Sequence, residues 1–251
     1  MVPPSSPVFL PLEGNRDPLG SEPSHVTDLA SRPQTATFGS GGSEPYAHAL
    51  RREGRLTLVR DQGRPRSGYD LGRWMAEADD VDRAILAGES GPVLDIGCGP
   101  GRMVAASIDL GFVSLGVDVS RAAVNVARRA GLPVLARSVF ERLPREGHWK
   151  TALLIDGNIG IGGDPRALLE RCAELLSPRG AVLVETRPDD EADEAFTARI
   201  VDEDGRTSST FPWAEVGATA LERHAEAAGL RLDQVWRVDG RVFCRLVAAH
   251  R

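Results

Sequence analysis

The chain has no excess of positive charge: 30 Lys and Arg stand against 36 Asp and Glu, a net charge of −6. A surface built to hold a phosphate backbone is therefore not expected, and nucleic acid is excluded as the default partner. Arginine greatly outnumbers lysine, but the arginines are scattered beside acids rather than gathered into a patch. Cysteine is scarce. Cys98, Cys172 and Cys244 are widely spaced, with no CxxC and no Cys/His pattern, so neither a disulfide framework nor a metal site is expected. That composition suits a reducing cytoplasm. Long apolar runs are missing too: none nears the roughly 20 residues that cross a bilayer. The first residues, MVPPSSPVFLPLEG, lack the basic start and apolar core of a signal peptide. No membrane partner is expected.

What is present divides the chain in three. Residues 1–44 are rich in Pro, Ser and Gly without a sustained apolar period, which predicts a disordered tail. Residues 45–90 predict an N-terminal helical cap. Pro45–Glu53 reads as a short helix with proline in its first turn and Gly54 after it. Leu56–Val59 reads as a short strand. Tyr69–Ala87 reads as one helix, because Leu71, Trp74, Met75, Ala78, Val81, Ile85 and Leu86 recur at three- and four-residue steps. From residue 91 to 251, strands alternate with helices. Val93–Ile96, Ser114–Val119, Pro133–Ala136, Thr151–Asp156 and Ala181–Glu185 read as strands, separated by helices at Arg102–Gly111, Arg121–Ala130 and Pro165–Leu176. Such βαβ units build a mostly parallel sheet with helices on both faces. A helix over Ala214–Ala228 and a hairpin turning at Asp239-Gly240 close the chain, so the sheet should finish antiparallel.

The chemistry concentrates after the first of these strands, in VLDIGCGPGR (93–102). Gly97, Gly99 and Gly101 remove the Cβ atoms that would hold a ligand away from the backbone, and the helix that follows offers free N–H groups. The glycines are spaced GxGxG, without the final step of a dinucleotide fingerprint. Asp95 stands two residues ahead of the first glycine, where its carboxylate would repel a pyrophosphate but attract an ammonium group. S-adenosylmethionine (SAM) carries such a group and no phosphate. The next strand ends in LGVDVS (115–120), which places Asp118 to accept ribose hydroxyls.

These two segments resemble motifs I and II of the class I SAM-dependent methyltransferases, most closely the type 11/12-like branch that acts on small molecules and is found in many actinobacterial proteins. The resemblance runs from about Gly91 to the end. It implies an α/β, Rossmann-like, doubly wound sheet of seven strands, mostly parallel with an antiparallel C-terminal hairpin strand. It implies SAM as cofactor, with Asp95, Gly97, Cys98, Gly99 and Gly101 around its methionine and ribose, Asp118 on the ribose and Val119 against adenine. Where the family usually has Gly-Asp for adenine, this chain has Arg137-Ser138-Val139. Ser138 is a weaker acceptor, and the Val139 backbone is a second candidate. Strand-end residue Asp156 is expected beside the methionine end, and is the first candidate for a general base; His48 is the second. Asn158, Arg187, Phe211 and Trp213 are candidates for the acceptor side, with residues 196–213 forming a lid built as a hairpin around Glu203-Asp204-Gly205. Tyr46, Tyr69, Arg73 and Trp74 belong to the cap that closes over SAM in this family. The glycines after Asp156 have another explanation, a connection that needs positive φ angles. The N/D-P-P-Y/F motif of amide and nucleobase-amine methyltransferases is absent, leaving a small-molecule acceptor as the expected substrate. A SAM-binding regulatory protein and an NAD-linked oxidoreductase are the competing readings.

Overall fold

In the computed structural model, the described residues are 45–52, 54–60, 65–69 and 71–249. The expected tail, residues 1–44, lies outside them, as does the side chain of Tyr69. Eleven strands form two sheets: β1 Leu56–Arg60, β2 Pro65–Tyr69, β3 Val93–Ile96, β4 Ser114–Asp118, β5 Val134–Ala136, β6 Trp149–Leu154, β7 Leu176–Thr186, β8 Asp193–Asp202, β9 Phe211–Val216, β10 Leu230–Val238 and β11 Arg241–Ala248. The helices are α1 Pro45–Arg52, α2 Leu71–Met75, α3 Asp80–Ala87, α4 Arg102–Asp109, α5 Arg121–Arg129, α6 Pro165–Leu175 and α7 Ala218–Ala227.

The large sheet has seven strands in the order β10-β11-β7-β6-β3-β4-β5. Strands β3 to β7 are parallel to their neighbours within that set, and β11 runs antiparallel to both β7 and β10. This is the expected doubly wound architecture. Strand β3, Val-Leu-Asp-Ile at 93–96, the middle one of the five parallel strands, is buried along its whole length, as an apolar run between helical layers must be. Chain direction across the sheet reverses between β3 and β6, with β4 and β5 laid to one side and β7 to the other. A crevice opens at the carboxyl ends of strands flanking such a point, and this geometry puts the glycine loop at its floor. The main core packs Leu94, Ile96, Leu154, Val182 and Val184 against Leu168, Leu169 and Leu221 of α6 and α7.

The second sheet has four antiparallel strands in the order β2-β1-β8-β9. It joins the N-terminal segment to the insertion: β1 pairs with β8 through five residues, Leu56 opposite Asp202 to Arg60 opposite Ala198. Leu56, Leu58, Ala198 and Ile200 pack under Tyr46, Ala49 and Leu50 of α1. The segment 45–90 thus carries two strands among its helices. The insertion is indeed a hairpin, but longer than 196–213, with β8 starting at Asp193 and β9 ending at Val216.

Two expected helices are corrected. Tyr69–Ala87 is not continuous; α2 ends at Met75 and α3 begins at Asp80. Asp79 caps α3 by accepting from Asp82 N at 2.7 Å, while the Asp82 carboxylate accepts from Asp79 N at 3.2 Å. This reciprocal cap starts a new helix in the middle of an uninterrupted apolar period. Ala214–Val216 belongs to β9, and α7 starts only after Gly217. No helix among the described residues is long and apolar enough to cross a membrane.

Candidate functional site

A cleft with about 960 Å³ of empty space, its open mouth included, lies at the crevice between β3 and β6. Of the candidate residues, Asp95, Gly97, Cys98, Gly99, Asp118, Val119, Ser138, Val139, Asp156, Asn158 and Trp213 line it, together with Tyr46 and Trp74. Residues scattered over half the chain are thus brought to one place by the strand ends.

Asp95 is 2% exposed, and its Oδ2 has no hydrogen-bond partner. Burial, reinforced by the charges of Asp156 and Asp118, pushes its pKa up to about 8. An orphaned carboxylate costs free energy that an incoming cation would recover. Asp118, at the end of the neighbouring strand, accepts from Gly99 N at 2.8 Å and from Ser120 N at 2.7 Å. Burial raises its pKa to about 6 against the pull of these two bonds. Each oxygen keeps a lone pair for a diol. The Cys98 and Tyr46 groups, both buried, are pushed well above their usual ranges and remain protonated at neutral pH.

The glycine loop is held by Asn158, whose Nδ2 donates to Ile96 O at 2.9 Å and Gly97 O at 3.0 Å. Both amide hydrogens are spent there, so Asn158 positions the loop rather than presenting a donor to an acceptor molecule. Gly97 has φ +72°, and a Cβ on it would lie 2.7 Å from that same Nδ2. The loop needs glycine here for both reasons. Gly101 does not face the cleft. It starts α4, and a Cβ there would strike Leu132.

On the acceptor side the candidates separate. Trp213 is 4% exposed and forms part of the cleft wall, while Phe211, 1% exposed, packs edge-on against Trp213 as part of the small sheet's core. Arg187 lines a second cavity beyond Asp156. His48 is not on the cleft wall; its Nε2 lies 3.4 Å from the exposed Asp204 carboxylate. Ser138 is tied into its own turn, its N–H donating to Glu141 at 2.8 Å and its hydroxyl accepting from Phe140 N at 3.3 Å. The Val139 carbonyl accepts from Arg171 Nε at 2.9 Å, which braces the loop that faces adenine in the expected arrangement.

Of the glycines after Asp156, Gly157, Gly162 and Gly163 adopt positive φ angles, whereas Gly160 is required by packing. A Cβ on Gly160 would lie 2.3 Å from the Ala214 carbonyl oxygen, because this turn presses directly onto β9. Backbone cannot yield as a flexible side chain can. Gly160→Ala is therefore expected to cost about 2 kcal/mol of stability, within the usual range for overpacking. An unchanged thermal midpoint would show that β9 moves aside freely.

Asp156 is embedded in ions that sequence periodicity did not reveal. Its Oδ2 accepts from Arg102 Nη2 at 2.6 Å, and Arg73 Nε is 3.8 Å from Oδ1. Arg102, with its side chain only 4% exposed, also bonds the buried Asp82. Asp82 in turn accepts from Arg241 Nη1 at 3.0 Å, and Arg241 grips Glu185 at 2.7 and 2.9 Å. Glu185 receives the Asp156 N–H at 2.8 Å, which fixes that residue at φ +57°. Burial raises the Asp156 pKa and Glu185 adds to this; Arg102 and Arg73 oppose it. The carboxylate is thus an anchored element of the cleft floor. Asp95, Asp118 and Asp156 bring three carboxyl groups with raised pKa to the cleft, and a cationic ligand would favour their charged forms.

These features agree with what the chain is similar to. A SAM-dependent methyltransferase from Bacteroides fragilis, solved with S-adenosyl-L-homocysteine (SAH), aligns with a TM-score of 0.71 at 19% identity, covering 86% of this chain and 99% of that one. The 1,6-didemethyltoxoflavin-N1-methyltransferase of Burkholderia thailandensis aligns with a TM-score of 0.52 at 23% identity, covering 72% and 84%. At such identities the likeness shows a shared fold. The ubiquinone biosynthesis O-methyltransferase of Pseudomonas aeruginosa is 32% identical over 114 residues, 42% of this chain and 47% of the relative. The chain spans about half the length of the curated relatives it matches. Residues 60–235 match the methyltransferase domain family across both the glycine loop and the insertion, and the chain belongs to that family.

Proposed function

We propose that the protein is a SAM-dependent methyltransferase that moves a methyl group to an O, N or C nucleophile of a small molecule. The observation that carries this reading is the buried, unpartnered Asp95 carboxyl group beside a glycine loop, in one cleft with Asp118. Asp95 fits the ammonium of SAM, and the free lone pairs of Asp118 fit its ribose. Val119, Ser138 and Val139 form the adenine end, and the three carboxyl groups suit the ligand's positive charge. The bound cofactor supplies a methyl group already activated on a sulfonium, so the protein's part is alignment. Holding reactants in attack geometry can be worth roughly 7–11 kcal/mol. Tyr46, Trp74 and Trp213 give the acceptor end apolar, water-excluding walls. The segment 45–90 and the insertion together form the cover over this end. Asp156 has the position for a base, although its bond to Arg102 makes orienting the acceptor the role that its geometry favours. The curated relatives are O-methyltransferases in ubiquinone biosynthesis, which supports a small-molecule acceptor for this chain as well. We place the protein in the cytoplasm, in keeping with three free, buried cysteines, and assign it no nucleic-acid partner.

The test is direct. SAM and SAH should each raise the melting temperature, while NAD should not, and SAH should accumulate when a panel of phenols and amines is supplied. Stabilisation by NAD in place of SAM would overturn the assignment. Tight SAM binding with no turnover on any acceptor would favour a regulatory protein.

A further inference from the structure

Asp156 and Trp213 line both the cleft and a second cavity, so the two adjoin. The charged lining of the second cavity is almost wholly paired. Asp156 is bonded to Arg102, Glu185 to Arg241, and Glu215 is engaged as well. Arg187 is the exception: its guanidinium has no ion-pair or hydrogen-bond partner among the described residues. It is also fixed in place. Its backbone N–H donates to Val216 O at 2.8 Å, a bridge that ties the end of β7 to the end of β9, and the residue is half-buried there. The neighbouring acids do not answer it. Asp190 pairs with Arg237, and the Asp189 carboxylate accepts from Glu191 N in its own turn. A half-buried arginine on a cavity wall, with no counter-charge of its own, is an arrangement that an anion completes.

We propose that this cavity receives an anionic group of the methyl acceptor, a carboxylate or a phosphate, with Arg187 as its counter-charge. The proposal rests on the methyltransferase reading for the word acceptor, but the anion site itself does not. It narrows the substrate class to small molecules that carry a negative group at one end and the nucleophile at the other. Arg187 recognises the substrate and takes no part in the transfer.

The experiment uses the full chain loaded with SAH and follows the arginine Nε–Hε resonances by NMR during titration with benzoate and, separately, inorganic phosphate. The Arg187 signal, identified by its loss in Arg187→Gln, should move saturably. The anion affinity, read by calorimetry in all three proteins, should fall at least tenfold in Arg187→Gln and be partly kept in Arg187→Lys, with SAH affinity equal throughout. A response to benzoate alone assigns a carboxylate, and a response to phosphate alone assigns a phosphorylated acceptor; either supports the site. An Arg187 signal that neither anion moves, or an affinity unchanged in Arg187→Gln, overturns it. If SAH itself does not bind, the methyltransferase reading fails, and the same titration of the unloaded chain still decides the anion site.

Discussion

Asp95→Asn is expected to weaken SAM binding by about 100-fold, because truncating one partner of a buried charge pair costs on the order of 3 kcal/mol. The substitution keeps the shape and removes only the charge. Calorimetric titration with SAH checks it. The same residue gives the free protein a pH signature. The pKa of Asp95 in the folded chain is raised to about 8, from an ordinary carboxylate value. In the window between the two, the unfolded chain has released the proton that the folded chain retains, so stability falls as pH rises toward 8. Asp95→Asn removes that slope while losing the ligand. Wild-type affinity for SAH should climb from pH 6 toward 8 as the carboxylate becomes available, then decline as the ligand's own ammonium deprotonates. A flat profile in the wild type would show that the carboxylate is already ionised in the free cleft.

Arg102→Met is expected to remove about 3 kcal/mol of stability, the low end for stripping one partner from a buried ion pair. The low end applies because Asp82 keeps Arg241 and the Asp79 N–H when Arg102 is lost. In a domain of this size that corresponds to a melting temperature lower by roughly 6–12 °C. Arg102→Lys should recover part of it, having charge but no fork to span both Asp82 and Asp156. Thermal and urea unfolding would test the network. A midpoint matching the wild type would mean that water replaces Arg102 at no cost.

The parts legible in the sequence are those carried by local pattern. The run Val93–Ile96, the glycines after it and Asp118 at the next strand end announce themselves by spacing, and the structure puts them around one cleft. Asp164 and Pro165 mark the start of α6, where the Asp164 carboxylate accepts from Ala167 N at 3.0 Å. Pattern fails where tertiary contact decides. Ala214–Val216 sits in front of a strongly helical stretch, and only pairing with β8 makes it strand. β2, Pro-Arg-Ser-Gly-Tyr, has no apolar alternation to reveal it and lies at the edge of its sheet. The ionic floor under Asp156 joins Asp82 to Arg102 and Arg241, partners 20 and 159 residues away, which no periodicity can express. Phe211 and Gly101 were candidate contacts on the strength of type and position; both turn out to hold the frame.

The woven origin of the small sheet bears on how segments can be exchanged between members of the family. Its four strands come half from the N-terminal segment and half from the insertion, stitched along the β1–β8 ladder. A graft of the insertion alone would bring β8 without the strand it was selected to pair with, and a graft of the N-terminal segment alone would leave β8 as an open edge. The transplantable module is therefore discontinuous. It consists of β1 and β2 with β8 and β9, carried over together, and recombination that cuts between them separates two halves of one sheet.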